Sequence, residues 1–156
     1  MIELRVLGSP APQGSKRFIG LSKKTGRGIM IESSKRVKPW RESVRWAATY
    51  EMTRLKMMAQ PNSIVGPVDL EITFTLPKPK SAPKRTVTYP SKYPDLSKLV
   101  RSTEDSLSEV GIWEDDARIV RCVSMKFYPG QHPDALDVPG AVIRIRPIAD
   151  TVYGKR

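Results

Sequence analysis

The feature of this sequence that most restricts its fold is a segment in which apolar and polar residues alternate without interruption. Between residues 68 and 76 every second residue is apolar, and the residues between them are Asp69, Glu71, Thr73 and Thr75. A period of two is typical of a strand with one face on the core and the other toward solvent. The segment therefore predicts a sheet whose apolar face is covered by other elements.

Two segments with helical spacing can supply that cover. One begins near Pro39, a residue type favoured in the first turn of a helix, and runs to about Met58. The other runs from about Leu96 to Val110, with Asp95 at its N-cap and Gly111 at its end. Further extended segments are expected at about 2–6, 27–32, 118–128 and 140–147. This order predicts an α+β fold over 1–156, a single small domain with a mixed β-sheet and two main helices packed on it.

Three other stretches are expected to be mainly irregular, apart from the extended segment at 27–32. Residues 8–38 are rich in glycine and basic residues, residues 77–94 contain five prolines, and residues 148–156 form a flexible tail. A long irregular connection inside a small domain is usually functional.

The charge of the chain favours a polyanionic partner. Among 156 residues, 27 are Lys or Arg and 16 are Asp or Glu, which gives a formal charge of +11. Contacts to phosphates release condensed counterions, so such a surplus favours nucleic acid. The basic residues of the two long connections are the candidate DNA contacts: Lys16, Arg17, Lys23, Lys24, Lys78, Lys80, Lys84, Arg85 and Lys92.

Scarce residue types exclude several kinds of chemistry. Cys122 is the only cysteine and His132 the only histidine, so one chain cannot form a Cys/His zinc site or an internal disulfide. Cys122 is expected to pack as a small hydrophobe in a strand. The sequence lacks a signal peptide and a long apolar run, which predicts a cytoplasmic protein without membrane contact. A Ser-His-Asp or Cys-His apparatus would have to use His132, in the turn-like QHPD stretch, so the sequence favours carboxylates with a hard metal ion as the means of catalysis.

Acidic residues cluster around the second helix. Asp95 precedes it, Asp105 lies within it, and Glu114, Asp115 and Asp116 follow it. Carboxylates held together repel one another unless a cation compensates, and Mg²⁺ suits such a set. Two cations one helical turn apart, at positions 98 and 101, are placed to stabilise a phosphate. From spacing alone, a helix cap and a solvated turn explain these acids equally well.

Three runs in order resemble the signature of a known family. They are PDLSKL at 94–99, EDSL at 104–107 and GIWEDDARIV at 111–120. Together they resemble the RusA family of Holliday junction resolvases, endodeoxyribonucleases common in phages and prophages. A less specific similarity lies in the opening strand followed by GSPAP and a basic stretch.

The resemblance implies a homodimeric, Mg²⁺-dependent enzyme, with Mn²⁺ as a substitute and no small-molecule cofactor, that cuts four-way DNA junctions at two symmetric phosphodiesters. The family's metal-binding aspartates fall on Asp95, Asp105, Asp115 and Asp116, and Asp116 looks like the essential one. The family's catalytic lysine position falls on Arg101. With Lys98 added from the helical spacing, the expected catalytic residues are Asp95, Lys98, Arg101 and Asp116.

One departure from the family pattern keeps an alternative open. Ser97 stands where many members carry a second metal-binding aspartate, and a neutral hydroxyl is a weaker ligand. A catalytically weak junction-binding accessory protein is therefore the main alternative, and a basic RNA-binding module is another. Geometry leaves a second question, because a helix over 96–110 is about 20 Å long and separates Asp95 from Asp116. Either residues 111–116 run back along the helix, or the site is shared between two subunits.

Overall fold

The computed structural model of the protein describes residues 1–14, 16–32, 35–83 and 85–149, with backbone alone at 16–19 and 29–32. The regular elements, in chain order, are β1 (Ile2–Leu7), β2 (Lys16–Leu21), β3 (Gly28–Glu32), α1 (Val37–Met57), β4 (Val68–Thr75), α2 (Leu96–Glu109), a 3-10 helix (Asp116–Arg118), β5 (Ile119–Phe127) and β6 (Gly140–Pro147). Their order matches the predicted α+β fold with two main helices. Of the predicted tail, residues 150–156 lie outside the described residues.

Four strands form the main sheet in the order β1-β6-β4-β5. Both neighbours of β6 pair with it antiparallel, whereas β5 runs parallel to β4, so the sheet is mixed as predicted. In β4 the apolar residues of the alternating pattern, Val68, Leu70, Ile72 and Phe74, are fully buried. The ring of Trp40 from α1 lies 6.3 Å from that of Phe74, so α1 packs on this face of the sheet.

The inner face of α2 is buried against other segments of the same chain. Leu99 and Leu107 are fully buried, and the hydroxyls of Ser102, Thr103 and Ser106 are buried between them. Each of these hydroxyls donates to a backbone carbonyl one turn earlier. Ser102 Oγ also lies 2.7 Å from the Ala11 carbonyl oxygen, and Thr103 Oγ1 accepts from Trp40 Nε1 at 3.2 Å, so α2 is tied to the first loop and to α1. The apolar face of α2 is therefore part of the core and is not available as an interface with a second subunit.

The chain reverses sharply after α2. Gly111 adopts a positive φ of 73°, a left-handed conformation that glycine tolerates at a helix C-terminus. Ile112 and Trp113 then turn into the core, and Trp113 Nε1 donates to Ser108 Oγ at 2.7 Å. Trp113 is therefore a core residue that closes the end of α2, and it has no exposed face for a partner subunit or for DNA.

The two long connections differ from each other. Residues 77–94 contain no helix or strand in their described part, as the prolines predicted. Within residues 8–38, β3 lies where an extended segment was expected at 27–32, and it pairs antiparallel with β2 in a second, two-stranded sheet. The strand β2 was not expected, because its sequence KRFIGL begins with two basic residues and contains a glycine, so it lacks an alternating apolar pattern.

Cys122 lies in a strand as predicted, but β5 is the edge strand and Cys122 is exposed there rather than packed in the core. Partial desolvation of the thiol and the neighbouring Glu104 carboxylate raise the pKa of Cys122 to about 11. The thiol is therefore protonated, and a poor nucleophile, at neutral pH. Across the described residues, no helix is both long and apolar enough to cross a membrane.

Candidate functional site

An open cleft of about 310 Å³ lies between the second half of α2, the segment that follows it, and α1. We call it the acidic cleft, because five carboxylates and one arginine are among the residues that line it: Arg41, Asp105, Ser108, Glu109, Glu114, Asp115 and Asp116. Three of the four predicted metal ligands, Asp105, Asp115 and Asp116, therefore lie around one depression. In a chain of formal charge +11, this concentration of negative charge is a distinct local feature.

Two of these carboxylates are held by side chains from the first third of the chain. Gln13 donates through Nε2 to Asp105 Oδ2, and Arg41 donates to Gln13 Oε1 at 2.9 Å. Arg41 also donates to one oxygen of Glu109, and Arg45 donates to the other at 2.6 Å. These charge-assisted contacts join α1 and the Gln13 loop to α2, so Asp105 and Glu109 have structural partners.

The adjacent aspartates after α2 have different surroundings. Asp115 Oδ1 accepts a hydrogen bond from the backbone N–H of Ala117 at 2.8 Å and so caps the 3-10 helix. The exposed carboxylate of Asp116 makes no hydrogen bond or ion pair with the described residues. Asp115 thus fixes the turn, while Asp116 is presented to the cleft.

The electrostatic effect of Asp116 on Glu104 indicates where Asp116 lies relative to α2. Burial raises the pKa of the Glu104 carboxyl above its ordinary value, and the negative charge of Asp116 raises it further, while a hydrogen bond with Cys122 lowers it. Asp116 is therefore close to the middle of α2. The segment after the helix runs back along it, which was one of the two arrangements expected from the sequence.

Asp95 lies apart from this cluster at the other end of α2. It occupies the N-cap position, but its side chain makes no capping hydrogen bond, and Lys98 Nζ lies 3.4 Å from its Oδ2. Nine residues separate Asp95 from Glu104, a rise of about 14 Å along a helix. The exposed Arg101 lies between the two acidic regions. Within one chain, the structure does not bring Asp95 together with Asp116.

The donor chemistry of the acidic cleft fits a hard cation, because all its acidic groups are carboxylates. Among the described residues, however, no three carboxylate, histidine or cysteine side chains converge closely enough to hold a metal ion. Mg²⁺ commonly takes only one or two carboxylates from a protein and completes its coordination with water and substrate phosphate. The carboxylates of the cleft are therefore compatible with a Mg²⁺ ion that takes few protein ligands.

The predicted DNA contacts lie on the surface wherever they are described. Lys23 and Lys24 are exposed in the turn between β2 and β3. Lys78, Lys80, Arg85 and Lys92 are exposed along the 77–94 connection. Lys84 and the side chains of Lys16 and Arg17 lie outside the described residues.

Sequence reasoning missed Gln13, Arg41 and Glu109 at this site. Gln13 is an uncharged residue in a loop, and Arg41 is one of several arginines on a helix, so neither carries a spacing signal. Glu109 follows Asp105 at i+4 on α2, a spacing that places both on one helix face. This i, i+4 spacing is the one signal in the sequence that could have placed Glu109 beside Asp105.

A small mixed α+β domain with a carboxylate cleft and exposed basic connections has the features suited to a protein that acts on nucleic acid. The chain matches the family Endodeoxyribonuclease RusA over residues 8–144. It therefore belongs to the RusA endodeoxyribonuclease family, a family of Holliday junction resolvases, as the motifs at 94–120 indicated. No curated protein matches the chain.

Proposed function

We propose that this protein is a four-way-junction endonuclease that acts as a homodimer with Mg²⁺ and makes two symmetric cuts. The observation that carries the proposal is the acidic cleft, in which Asp116 makes no hydrogen bond or ion pair with any described residue, in an otherwise strongly basic chain. A carboxylate without an internal partner beside other carboxylates is costly unless a cation or substrate group completes it. The family membership supplies the reaction type, hydrolysis of a phosphodiester within a DNA strand.

Asp116 and Asp115 are the residues proposed to hold Mg²⁺, with Asp105 beside them. When bound, this ion supplies Lewis-acid stabilisation of phosphate oxygens and activates water as a nucleophile. Arg101 stands between the two acidic regions of α2, where its guanidinium can stabilise negative charge on the phosphate. Because arginine stays protonated, its role is electrostatic rather than proton transfer.

A second subunit is proposed because one chain leaves the site incomplete. Asp95 is about 14 Å along α2 from the level of Glu104, and the described residues hold no three-ligand cluster. A two-fold dimer with antiparallel contacts would place Asp95 of one chain toward the acidic cleft of the other. It would also supply the two matched sites that symmetric cutting of a junction requires.

The direct test is incubation of the purified protein with an end-labelled four-way junction, with and without Mg²⁺. Paired cuts near the branch point that depend on Mg²⁺ are expected, and linear duplex of the same sequence is the control. Equal cutting of duplex and junction would contradict junction selectivity, and equal cutting in a chelator would contradict the role of Mg²⁺.

The accessory-protein alternative rests on Ser97. This residue is exposed in the first turn of α2, one position from Lys98, so an aspartate there would add a carboxylate near Asp95. Retention of the junction without cutting at any Mg²⁺ or Mn²⁺ concentration would favour the accessory role. Recovery of cutting in Ser97→Asp would then identify the missing ligand as the cause.

A further inference from the structure

A second cleft lies where the two long connections meet, on the side of the molecule that leads into Asp95. Its volume is about 350 Å³, within the range of small-ligand sites. Its walls come from residues 9–12, 76–79 and 90–94, with Arg36 and Tyr128 added from elsewhere in the chain. Since most of these residues are prolines or tyrosines, we call it the proline-tyrosine cleft.

The most exposed aromatic side chain of this cleft stands on a fixed piece of backbone. Tyr93 is 70% exposed. On either side of it, the carbonyls of Lys92 and Pro94 accept hydrogen bonds from Lys126 Nζ at 2.9 and 2.8 Å. Lys126 belongs to β5, so the sheet holds the segment in place. A ring exposed to this degree on a held backbone is pre-organised for a flat ligand.

The charge around the cleft indicates the kind of ligand. Arg36 and Lys92 line it, no acidic residue does, and Lys78 and Lys80 are exposed on the same connection. An occupant with a flat ring and a phosphate would match the rings and the cations together. Asp95 follows Pro94 directly in the chain, so an occupant of this cleft lies beside one of the proposed catalytic carboxylates.

We propose that the proline-tyrosine cleft receives an unpaired nucleobase of the DNA substrate, stacked on Tyr93, with the adjoining phosphates toward Arg36 and Lys92. This inference rests on the proposed function and deepens it. A fully paired duplex offers no such base, whereas the branch point of a junction offers bases that unstack easily. The cleft thereby links recognition of the open centre to the end of α2 that carries Asp95.

Photo-crosslinking tests the cleft without cleavage, because it is performed in the absence of divalent cations. The probes are a four-way junction and a single-stranded oligonucleotide, each with one 5-iododeoxyuridine, placed at the branch point in the junction. The variants are Tyr93→Ala, Tyr93→Phe and the matched control Tyr89→Ala. Tyr89 lies on the same connection and is 66% exposed, but its ring packs near Phe127 and does not line the cleft.

The expected result is a crosslink at Tyr93 and binding of both probes about tenfold weaker in Tyr93→Ala, the size of effect that loss of one stacked base produces. Tyr93→Phe should bind as the wild type does, because the ring is kept, and so should Tyr89→Ala. If Tyr93→Ala binds both probes as tightly as Tyr89→Ala does, the inference about the cleft is overturned, whereas junction binding by the protein is not. If Tyr93 crosslinks to the single strand as well as it does to the junction, the base-binding cleft is supported, but the proposed selectivity for junctions is overturned. If neither probe binds, both proposals fail.

Discussion

At the scale of single residues, Asp115 and Asp116 are neighbours in the chain with different surroundings. Asp115 caps the 3-10 helix through the N–H of Ala117, whereas Asp116 lines the acidic cleft and makes no hydrogen bond or ion pair with the described residues. A sequence pattern of two adjacent acids cannot distinguish a carboxylate that caps a turn from one that is presented to a cleft. The hydrogen-bond geometry distinguishes them.

Substitution of each aspartate by asparagine makes this difference measurable. Asp116→Asn should reduce Mg²⁺-dependent junction cutting by at least about 100-fold, in line with the loss of a group that stabilises transition-state charge. Junction binding should stay equal or become tighter, since a charge that repels phosphate is removed. The measurements are single-turnover cutting rates and gel-shift affinities.

Asp115→Asn is the matched control, because asparagine also caps helices well. It should keep its stability and lose less activity than Asp116→Asn. Equal cutting by Asp116→Asn and the wild type would remove Asp116 from the site.

Asp134 is an acidic residue whose role is structural. Arg144 of β6 donates to both of its carboxylate oxygens, at 2.8 and 2.5 Å, and to Glu3 of β1 at 2.9 Å. The hydrogen bonds from Arg144 lower the pKa of Asp134 below its ordinary value.

The sign of this pKa shift predicts a pH dependence of stability. Because the pKa of Asp134 is lower in the folded protein, its ionised form stabilises the fold above about pH 4, and this contribution is lost as the pH falls through the folded-state pKa. Asp134→Asn should therefore unfold more easily at pH 7, by about 1 kcal/mol. The difference from the wild type should shrink toward zero near pH 2.

Urea unfolding at several pH values between 2 and 7 measures this effect. Asp137→Asn, three residues further along the same turn region, is the control and should show no such dependence. A difference between Asp134→Asn and the wild type that stays constant over the whole pH range would contradict the assignment.

At the scale of elements, the 77–94 connection and α1 both carry exposed basic residues, but only the connection borders the proline-tyrosine cleft. Replacing Lys78, Lys80 and Arg85 with alanine should weaken junction binding and flatten its salt dependence. The slope of log K against log salt changes by about 0.9 for each phosphate contact on duplex DNA, so a change of up to about 3 is expected.

The control for this variant is a second triple alanine variant that removes the same amount of positive charge from α1. Lys38, Arg54 and Lys56 are exposed there and lie outside both clefts. Their replacement by alanine should leave the slope nearer to the wild-type value. Identical slopes in both triple variants would place the DNA elsewhere, for example along residues 16–27.

At the scale of the whole molecule, Asp95 lies far from the acidic cleft of its own chain, and a dimer could place the Asp95 of one subunit beside the cleft of the other. Mixing inactive Asp95→Asn subunits with inactive Asp116→Asn subunits should restore one complete site in each heterodimer. Nicking of one strand without full resolution is the expected product. Differently tagged subunits, purified through both tags, show that heterodimers have formed.

The control for subunit mixing is a doubly tagged Asp116→Asn homodimer, which should remain inactive. If heterodimers form and no nicking appears, each chain builds its own site, and Asp95 acts in a different way from that proposed. Because the apolar face of α2 is buried in the chain, a dimer interface would have to use another surface.

Much of the architecture follows from local patterns in the sequence. The alternation at 68–76, the helical spacing of the two helices and the glycine at 111 each report a local preference, and each element was found within one or two residues of its expected bounds. In the second sheet, β3 was expected from the sequence but its partner β2 was not, because β2 carries no alternating pattern of its own. The motif residues at 94–120 were also identifiable, since the family signature is a local string.

The sequence by itself determined which residue types are available for chemistry: carboxylates and basic side chains, with a single cysteine and a single histidine. Only the tertiary structure decided which carboxylates share a cleft, because that depends on the reversal at Gly111 and on contacts such as Arg41 with Glu109, 68 residues apart. It also decided that Trp113 and the apolar face of α2 belong to the core. An apolar stripe reports that a surface must be covered, whereas the packing of distant segments determines what covers it.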